Sequence, residues 1–273
     1  MYEREKKINE KYDDFLNVRF LLASQMRPKL LLLLLNSDQD LNSFREELDK
    51  PSASILHGLK ELEGVRLISK NFKYYSLSSK GFLYSLSLDK LSKDLFIFQE
   101  NREFWQSHSI DSLPLDSFRN AYLLKDSILV ESDETDLSKT LIEYLDLLSN
   151  SEDMRIILPI FSEQHLDIIL ENLENGGQLQ LITTEEVLYS LRKSGYFKSF
   201  AEYSKNNQID LRKLNIDIEL FLTICENAMS LSLFFNDGLF DDSSFILNQT
   251  EDGIKWANML FSYYLKMSVR VIL

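Results

Sequence analysis

Histidine, cysteine and clustered acids are the residue types best suited to chemistry, and this chain has few of them. The three histidines are His57, His108 and His165. No two fall within a helical turn, so neither an HExxH nor a C2H2 zinc pattern exists. Cys225, the one cysteine, lies in an apolar run, cannot form an internal disulfide and cannot build a metal site alone. It reads as a core thiol in a reducing, cytoplasmic setting. Asp237, Asp241 and Asp242 fall in NDGLFDD, which lacks EF-hand spacing. Asp237 reads as turn chemistry, and Asp241 and Asp242 as solvated charge at a strand end. No GxGxxG, GxxxxGK[ST] or GxSxG pattern occurs. Neither an enzyme, a metal nor a cofactor is expected. Trp105 and His108, three residues apart, are a candidate ligand-binding pair through indole stacking and imidazole hydrogen bonding. A satisfied interdomain histidine is the commoner state for such a residue.

Chemistry suited to nucleic acid lies in residues 40–81. Leu41, Phe44 and Leu48 set one apolar stripe on a first helix. Asp49-Lys50-Pro51 breaks it, because the residue before a proline is pushed out of the α region. Ser52 is the expected N-cap of a second helix, with Ile55, Leu59 and Leu62 inward and Gly64 at its end. Residues 65–69 and 72–77 are β-prone runs around a polar tip at Lys70-Asn71, a hairpin pattern. Helix, turn, helix, hairpin is the order of a winged helix-turn-helix, whose second helix lies in the major groove of double-stranded DNA. The contacting residues are then Ser52, Ser54, His57 and Lys60 on that helix, with Lys70, Asn71 and Lys73 on the wing. No arginine stands on the helix, so the commonest guanine contact is missing. The same pattern also suits a small module for protein contacts.

The charge supports the division. Residues 1–80 carry 14 Lys+Arg and 12 Asp+Glu, whereas residues 81–273 carry 16 and 31, giving +2 and −15. An asymmetric chain has different partners for its parts. A hydrophobic content of 44% supports a sizeable core, and four prolines and eight glycines leave little room for disorder. The charged N-terminus has no apolar h-region. The six leucines at 30–35 are far short of a membrane span, so no membrane partner is expected.

These residues need elements to position them. Residues 14–23, with Phe15, Leu16, Phe20 and Leu21, read as a helix, and Ser24 caps another carrying Met26, Pro28 and the leucine run. Residues 82–104 read as one long helix. On it Tyr84, Leu88, Leu91, Leu95 and Phe98 form a short heptad seam that packs on the chain's own core or joins a homodimer. Residues 101–126 connect onward, with Pro114 stopping regular structure. From Ser127, strands at 128–130, 155–161 and 178–182 alternate with helices at 136–148, 163–173, 184–194 and 196–204, which implies a mainly parallel sheet. Strands at 209–211 and 218–225 follow. A hairpin of 229–235 and 239–245 turns at Asn236-Asp237-Gly238, and a helix over 250–267 closes the chain. The expected fold is α+β to α/β: a winged domain at 1–81, a linker and dimerisation helix with connector at 82–126, and an α/β domain with a mixed sheet at 127–273.

The chain also resembles a known family. SASILHGLKELEG followed by a wing and SSKG is similar to many archaeal and bacterial repressors. FWQSH at 104–108 followed by Leu113-Pro114, LSLFFNDGLFD at 231–241 and WANMLFSYY at 256–264 resemble the winged-helix methanogenesis regulatory proteins of methanogenic archaea. The likeness runs from about Phe15 to about Tyr264. It implies a dimeric DNA-binding transcriptional regulator with an acidic C-terminal regulatory domain that senses a small-molecule effector or a partner. The recognition helix departs from this by being poor in basic residues. Related archaeal regulators carry a phospholipase D-like fold as sensor. Its catalysis needs His-x-Lys, and neither His108-Ser109-Ile110 nor His165-Leu166-Asp167 supplies the lysine, so a non-catalytic domain is expected. The alternative is a ligand-binding or enzymatic α/β protein that does not bind DNA.

Overall fold

Ser24 opens the first full helix: its Oγ accepts the N–H of Met26 at 3.2 Å, and α1 (Met26–Asn36) follows. The computed structural model describes residues 18–273, of which 18–22 are helical. Phe15 and Leu16 lie outside the described residues. Leu30, Leu31 and Leu34 of the leucine run are buried. Asp40 caps α2 (Leu41–Leu48), accepting from the N–H of Asn42 and of Ser43 at 3.1 Å each.

The start of α3 (Ser52–Gly64) differs from expectation. The Pro51 carbonyl takes the first helical N–H groups, from Ser54 and Ile55, so Ser52 lies inside the first turn and is not the cap. Proline holds its own φ at −58°, preset for the approach to a helix. Gly64 is the last helical residue, but Arg66 takes the left-handed conformation, at φ 59°.

Among the described residues three strands complete this unit: β1 (Gln39–Asp40), β2 (Ile68–Asn71) and β3 (Tyr74–Leu77), in the antiparallel order β1-β3-β2. The turn is Phe72-Lys73, because Lys70 pairs with Tyr75 and Asn71 with Tyr74. That register puts Ile68, Tyr75 and Leu77 on the inner face, and a slip would turn them out. Phe44, Ile55, Leu59 and Leu62 pack with the α1 leucines into one core. At Gly58 a Cβ would come within 2.9 Å of Leu30 Cδ1 and Met26 Cγ, so α1 and α3 approach at the one side chain that is missing.

The long helix is α4 (Ser79–Glu100), followed after Asn101 by α5 (Arg102–Ser107). The expected heptad seam does not act as one stripe. Tyr84 and Leu88 pack on the core just described, Leu91 and Leu95 are exposed, and Phe98 meets Trp105. Heptad spacing reports an apolar stripe and not what covers it. The chain divides into two compact units, Met1–Ser92 and Lys93–Leu273. Residues 101–126, read as a connector, contribute Phe104, Leu113, Leu123 and Leu124 to the core of the second unit.

That unit holds α6 (Leu115–Arg119), a 3-10 turn (Ala121–Leu124) and, among the described residues, an eight-stranded mixed sheet. Its strands are β4 (Ile128–Glu131), β5 (Asp153–Leu158), β6 (Gln178–Thr183), β7 (Ile209–Lys213), β8 (Leu220–Ile224), β9 (Met229–Leu233), β10 (Ser244–Asn248) and β11 (Val269–Arg270). The order is β11-β7-β6-β5-β8-β9-β10-β4. Among the described residues only the β5–β6 and β6–β7 pairs are parallel, which corrects the mainly parallel expectation. Parallel neighbours need crossovers, and helices α8 (Glu163–Glu174), α9 (Glu185–Ser194) and α10 (Tyr196–Ser204) supply them there. β5 ends at Leu158 because Pro159 offers no N–H to the ladder.

Residues alternate across the sheet. Ile157, Ile182, Leu222 and Leu231 face α11 (Glu251–Met267), which buries Trp256, Ala257, Leu260, Phe261 and Tyr264. Ile156, Leu158 and Leu181 pack with Tyr144, Leu148, Leu166, Leu191 and Phe200 from the helices of the other face. The first of those helices, α7 (Lys139–Ser149), begins later than expected, which leaves Leu137 80% exposed. Cys225 is a buried free thiol, as expected of a core cysteine.

Candidate nucleic-acid interface and ligand cavity

The outer side of α3 follows from its inner one. With Ile55, Leu59 and Leu62 buried, Ser54, His57 and Lys60 are exposed, three residues apart and so on one face. Ser52 is half-buried at the first turn. Lys70, Asn71 and Lys73 are all exposed on the hairpin. Lys70 Nζ stands 5.2 Å above the Tyr75 ring, while Lys73 Nζ lies 3.2 Å from Asp40 Oδ2 and over Tyr74. The hydrogen bond to Asp40 raises the Lys73 pKa, and the Ser43 N–H followed by Lys73 lowers that of Asp40. Lys73 therefore ties the wing to the cap of α2, a pairing that spacing alone did not reveal. Phe72 is 94% exposed at the wing tip.

A second pairing was equally invisible to spacing. Arg27 of α1 grips Glu61 of α3 with two donors, Nε to Oε2 at 2.9 Å and Nη2 to Oε1 at 2.6 Å. The Arg27 hydrogen bond lowers the Glu61 pKa. His57 Nε2 lies 3.5 Å from the same carboxylate, one turn back on the helix. The acid that would repel a phosphate is thus occupied by Arg27, in the bidentate geometry that suits arginine.

In the second unit, His108 of the Trp105–His108 pair is taken up within the fold. His108 is buried, with Nδ1 2.7 Å from the Phe104 carbonyl and Nε2 2.9 Å from Asp241 Oδ2. Both nitrogens face acceptors, so neither is left for a ligand. Trp105 packs edge-on against Phe98 and Phe104, and its buried Nε1 has no hydrogen-bond partner among the described residues. Asp241 is not solvated strand-end charge; it is 2% exposed. Burial pushes its carboxyl up, but hydrogen bonds from His108, Ser243 and Ser244 outweigh this and hold it at about 2. The second strand of the hairpin starts at Ser244 and not at 239: Asp241 is buried, and the Ser243 N–H and hydroxyl donate to its carboxylate in a local turn before the strand. The 236–238 turn is as expected, with Gly238 at φ 85°.

A cavity of about 540 Å³ lies beside Asp241, at the starts of α7 and α8. His165, Tyr144, Phe221 and Thr140 line it. Spacing gave no sign of it, since its walls come from separate segments of the chain. Among the described residues no group of three or more His, Cys, Asp or Glu is placed to hold a metal, and no helix is long and apolar enough to cross a membrane.

Comparison with known proteins bears on both units. Residues 15–95 match the model of the methanogenesis regulatory protein FilR1 N-terminal domain, and residues 137–267 match that of its middle domain. The methanogenesis regulatory protein FilR1 of Methanothrix harundinacea (strain 6Ac) is 25% identical over 254 residues. The match takes in 92% of this chain but 57% of that relative, so the chain spans little more than half its length. Among solved structures, the archaeal chromatin protein TrmBL2, described as showing a novel mode of DNA binding, aligns with a TM-score of 0.43 at 13% identity, over 86% of this chain and 88% of that one. The phospholipase D family member Nuc of Salmonella typhimurium aligns with a TM-score of 0.38 at 14% identity, over 54% of this chain and 99% of that one. With the N-terminal and middle domains matched in order along most of its length, the chain belongs to the methanogenesis regulatory protein FilR1 family.

Proposed function

We propose that this protein is a transcriptional regulator that binds double-stranded DNA through a winged helix-turn-helix in residues 26–92 and senses a small molecule through residues 93–273. The observation that carries the reading is the face of α3, where Ser54, His57 and Lys60 are exposed while the neighbouring acid, Glu61, is held by Arg27. Lys60, Lys70 and Lys73 supply phosphate contacts, and Ser54 and His57 reach base edges. The family's regulatory name supports the same role. The second unit, with a mixed sheet like that of phospholipase D-type sensors, lacks the His-x-Lys of catalysis and serves as the sensor. The protein acts as a cytoplasmic homodimer, joined in part through the exposed Leu91 and Leu95 of α4. A two-fold dimer reads half-sites ~34 Å apart, or a multiple of that.

A band shift of the full chain on DNA from upstream of its own coding region tests the reading. Binding at nanomolar protein that weakens steeply with salt is the expected result. Equal, weak binding to every fragment tried would overturn it. A ligand can then act only by binding one state of the protein better than another.

A further inference from the structure

The cavity beside Asp241 has two kinds of wall. Tyr144, Phe221 and Phe240 supply aromatic surface, and Ser132, Thr140 and Ser232 supply hydroxyls. Its volume of about 540 Å³ falls within the range of small-molecule sites. Among the described residues no lysine or arginine lines it.

Most polar groups around it already have partners. The Tyr144 hydroxyl lies 2.7 Å from Thr223 Oγ1, in the core. Thr140 donates to the Asp242 carbonyl at 2.8 Å. Asp241 holds His108, Ser243 and Ser244. Of the buried side-chain polar atoms that line it, the one on His165 is the exception among the described residues. His165 is 9% exposed and tilted against both the Tyr144 ring at 4.7 Å and the Phe221 ring at 5.6 Å. Its Nδ1 is buried with no hydrogen-bond partner among the described residues. A buried polar group without a partner costs free energy, and native interiors rarely leave one.

Burial also holds His165 down at about 4. The ring is then neutral near pH 7, with one donor nitrogen and one acceptor. A carboxylate or phosphate entering here finds no cation and meets the charge of Asp242. An ammonium ion at depth finds a neutral imidazole and a carboxylate, Asp241, already satisfied, and Asp242, exposed at the rim, offers it only a solvent-screened partner.

We infer that this cavity is a binding site for an uncharged amphiphile, with an apolar or aromatic body against the wall of Tyr144, Phe221 and Phe240 and a hydroxyl- or amide-type head at His165. It deepens the sensing role proposed above, and rests on that reading only for the link to DNA.

The test uses the full chain labelled with 15N-histidine. Its three histidines make the ring signals assignable. The probes share one body and differ in charge: 2-phenylethanol, phenylacetate and phenethylamine, each titrated to about 10 mM, a range chosen for weak fragments. The expected result is a saturable shift of the His165 ring signals with 2-phenylethanol, at least about tenfold weaker with either charged probe, and no shift of His57 or His108. Leu141→Trp, which fills the cavity from α7, should abolish the effect while the His108 signals stay in place. No response of His165 to any probe, an equal response to phenylacetate, or full binding by Leu141→Trp would overturn the inference. Upstream DNA added to the same sample separates the two readings. A His165 response without DNA binding supports the cavity and overturns the regulator. DNA binding with His165 silent overturns the cavity alone.

Discussion

His108 and Asp241 stand 133 residues apart in the sequence and 2.9 Å apart in the fold, both side chains 2% exposed. Around them FWQSH docks on the hairpin turn. Ser109 N–H reaches the Phe234 carbonyl at 2.8 Å, Asn236 N–H reaches that of Ser107 at 2.9 Å, and the His108 ring stacks on Phe235 at 4.7 Å. Two of the segments that carry the family resemblance are thus one interface. Asp241→Ala leaves the imidazole and two serines without their acceptor. It should cost roughly 3–5 kcal/mol in urea unfolding, the range for breaking a buried pair, with Asp241→Asn milder because an amide still accepts.

The DNA-facing residues divide by what they touch. Lys60→Ala, or Lys70→Ala with Lys73→Ala, should weaken binding to every sequence and lower the salt slope by about one for each phosphate left without its lysine. Ser54→Ala and His57→Ala should instead change preference among sites. Quantitative footprinting across a salt series reads both, and unchanged slopes would remove these lysines from the interface.

His165 makes stability depend on pH. Its folded pKa of about 4 lies below the ordinary value of 6.5, so between the two the unfolded state binds the extra proton. Stability therefore rises with pH across that window and falls as pH drops from 6.5 toward 4. The contribution is at most about 3.5 kcal/mol, from about 1.4 kcal/mol per pKa unit. His165→Gln should flatten this arm in urea midpoints measured at steps from pH 4 to 7. An unchanged pH profile would show that the ring is hydrated.

Gly81 and Gly64 give a paired test of the first unit. A Cβ at Gly81 would fall 1.9 Å from the Leu67 carbonyl oxygen. That oxygen already accepts from the N–H and hydroxyl of Ser78 at 2.9 and 3.0 Å, so it has little freedom to move. Gly81→Ala should cost roughly 1–3 kcal/mol or more, as overpacking does. At Gly64 a Cβ meets nothing within 4 Å, and Gly64→Ala should be neutral or stabilise by up to about 1 kcal/mol through helix propensity. Thermal melts should place Gly81→Ala below the wild type and Gly64→Ala at or above it.

Leu91 is 42% exposed on α4, where a homodimer would cover it. Leu91→Asp should convert a sedimenting dimer to monomer with little loss of monomer fold. A wild type that sediments as a monomer at tens of micromolar, about the working range for a specific dimer, would remove the dimer from the proposal.

The sequence by itself located most of the helices and strands and the faces that they bury. The inward face of Ile55, Leu59 and Leu62 on α3 and the closing helix α11 were legible, because helical period is a local property. The same local evidence placed the candidate DNA-facing residues on one side of α3. Tertiary structure alone decided who partners whom. It moved the wing tip to Phe72-Lys73 through the burial of Ile68 and Tyr75, and it split the Tyr84–Phe98 stripe. It turned Asp241 from an exposed end charge into the buried partner of His108, and left His165 without a partner at a cavity. The reason is that a hydrophobic period records only that a face is covered. The His108–Asp241 bond joins residues 133 apart, and nothing in the near neighbours of either specifies the other.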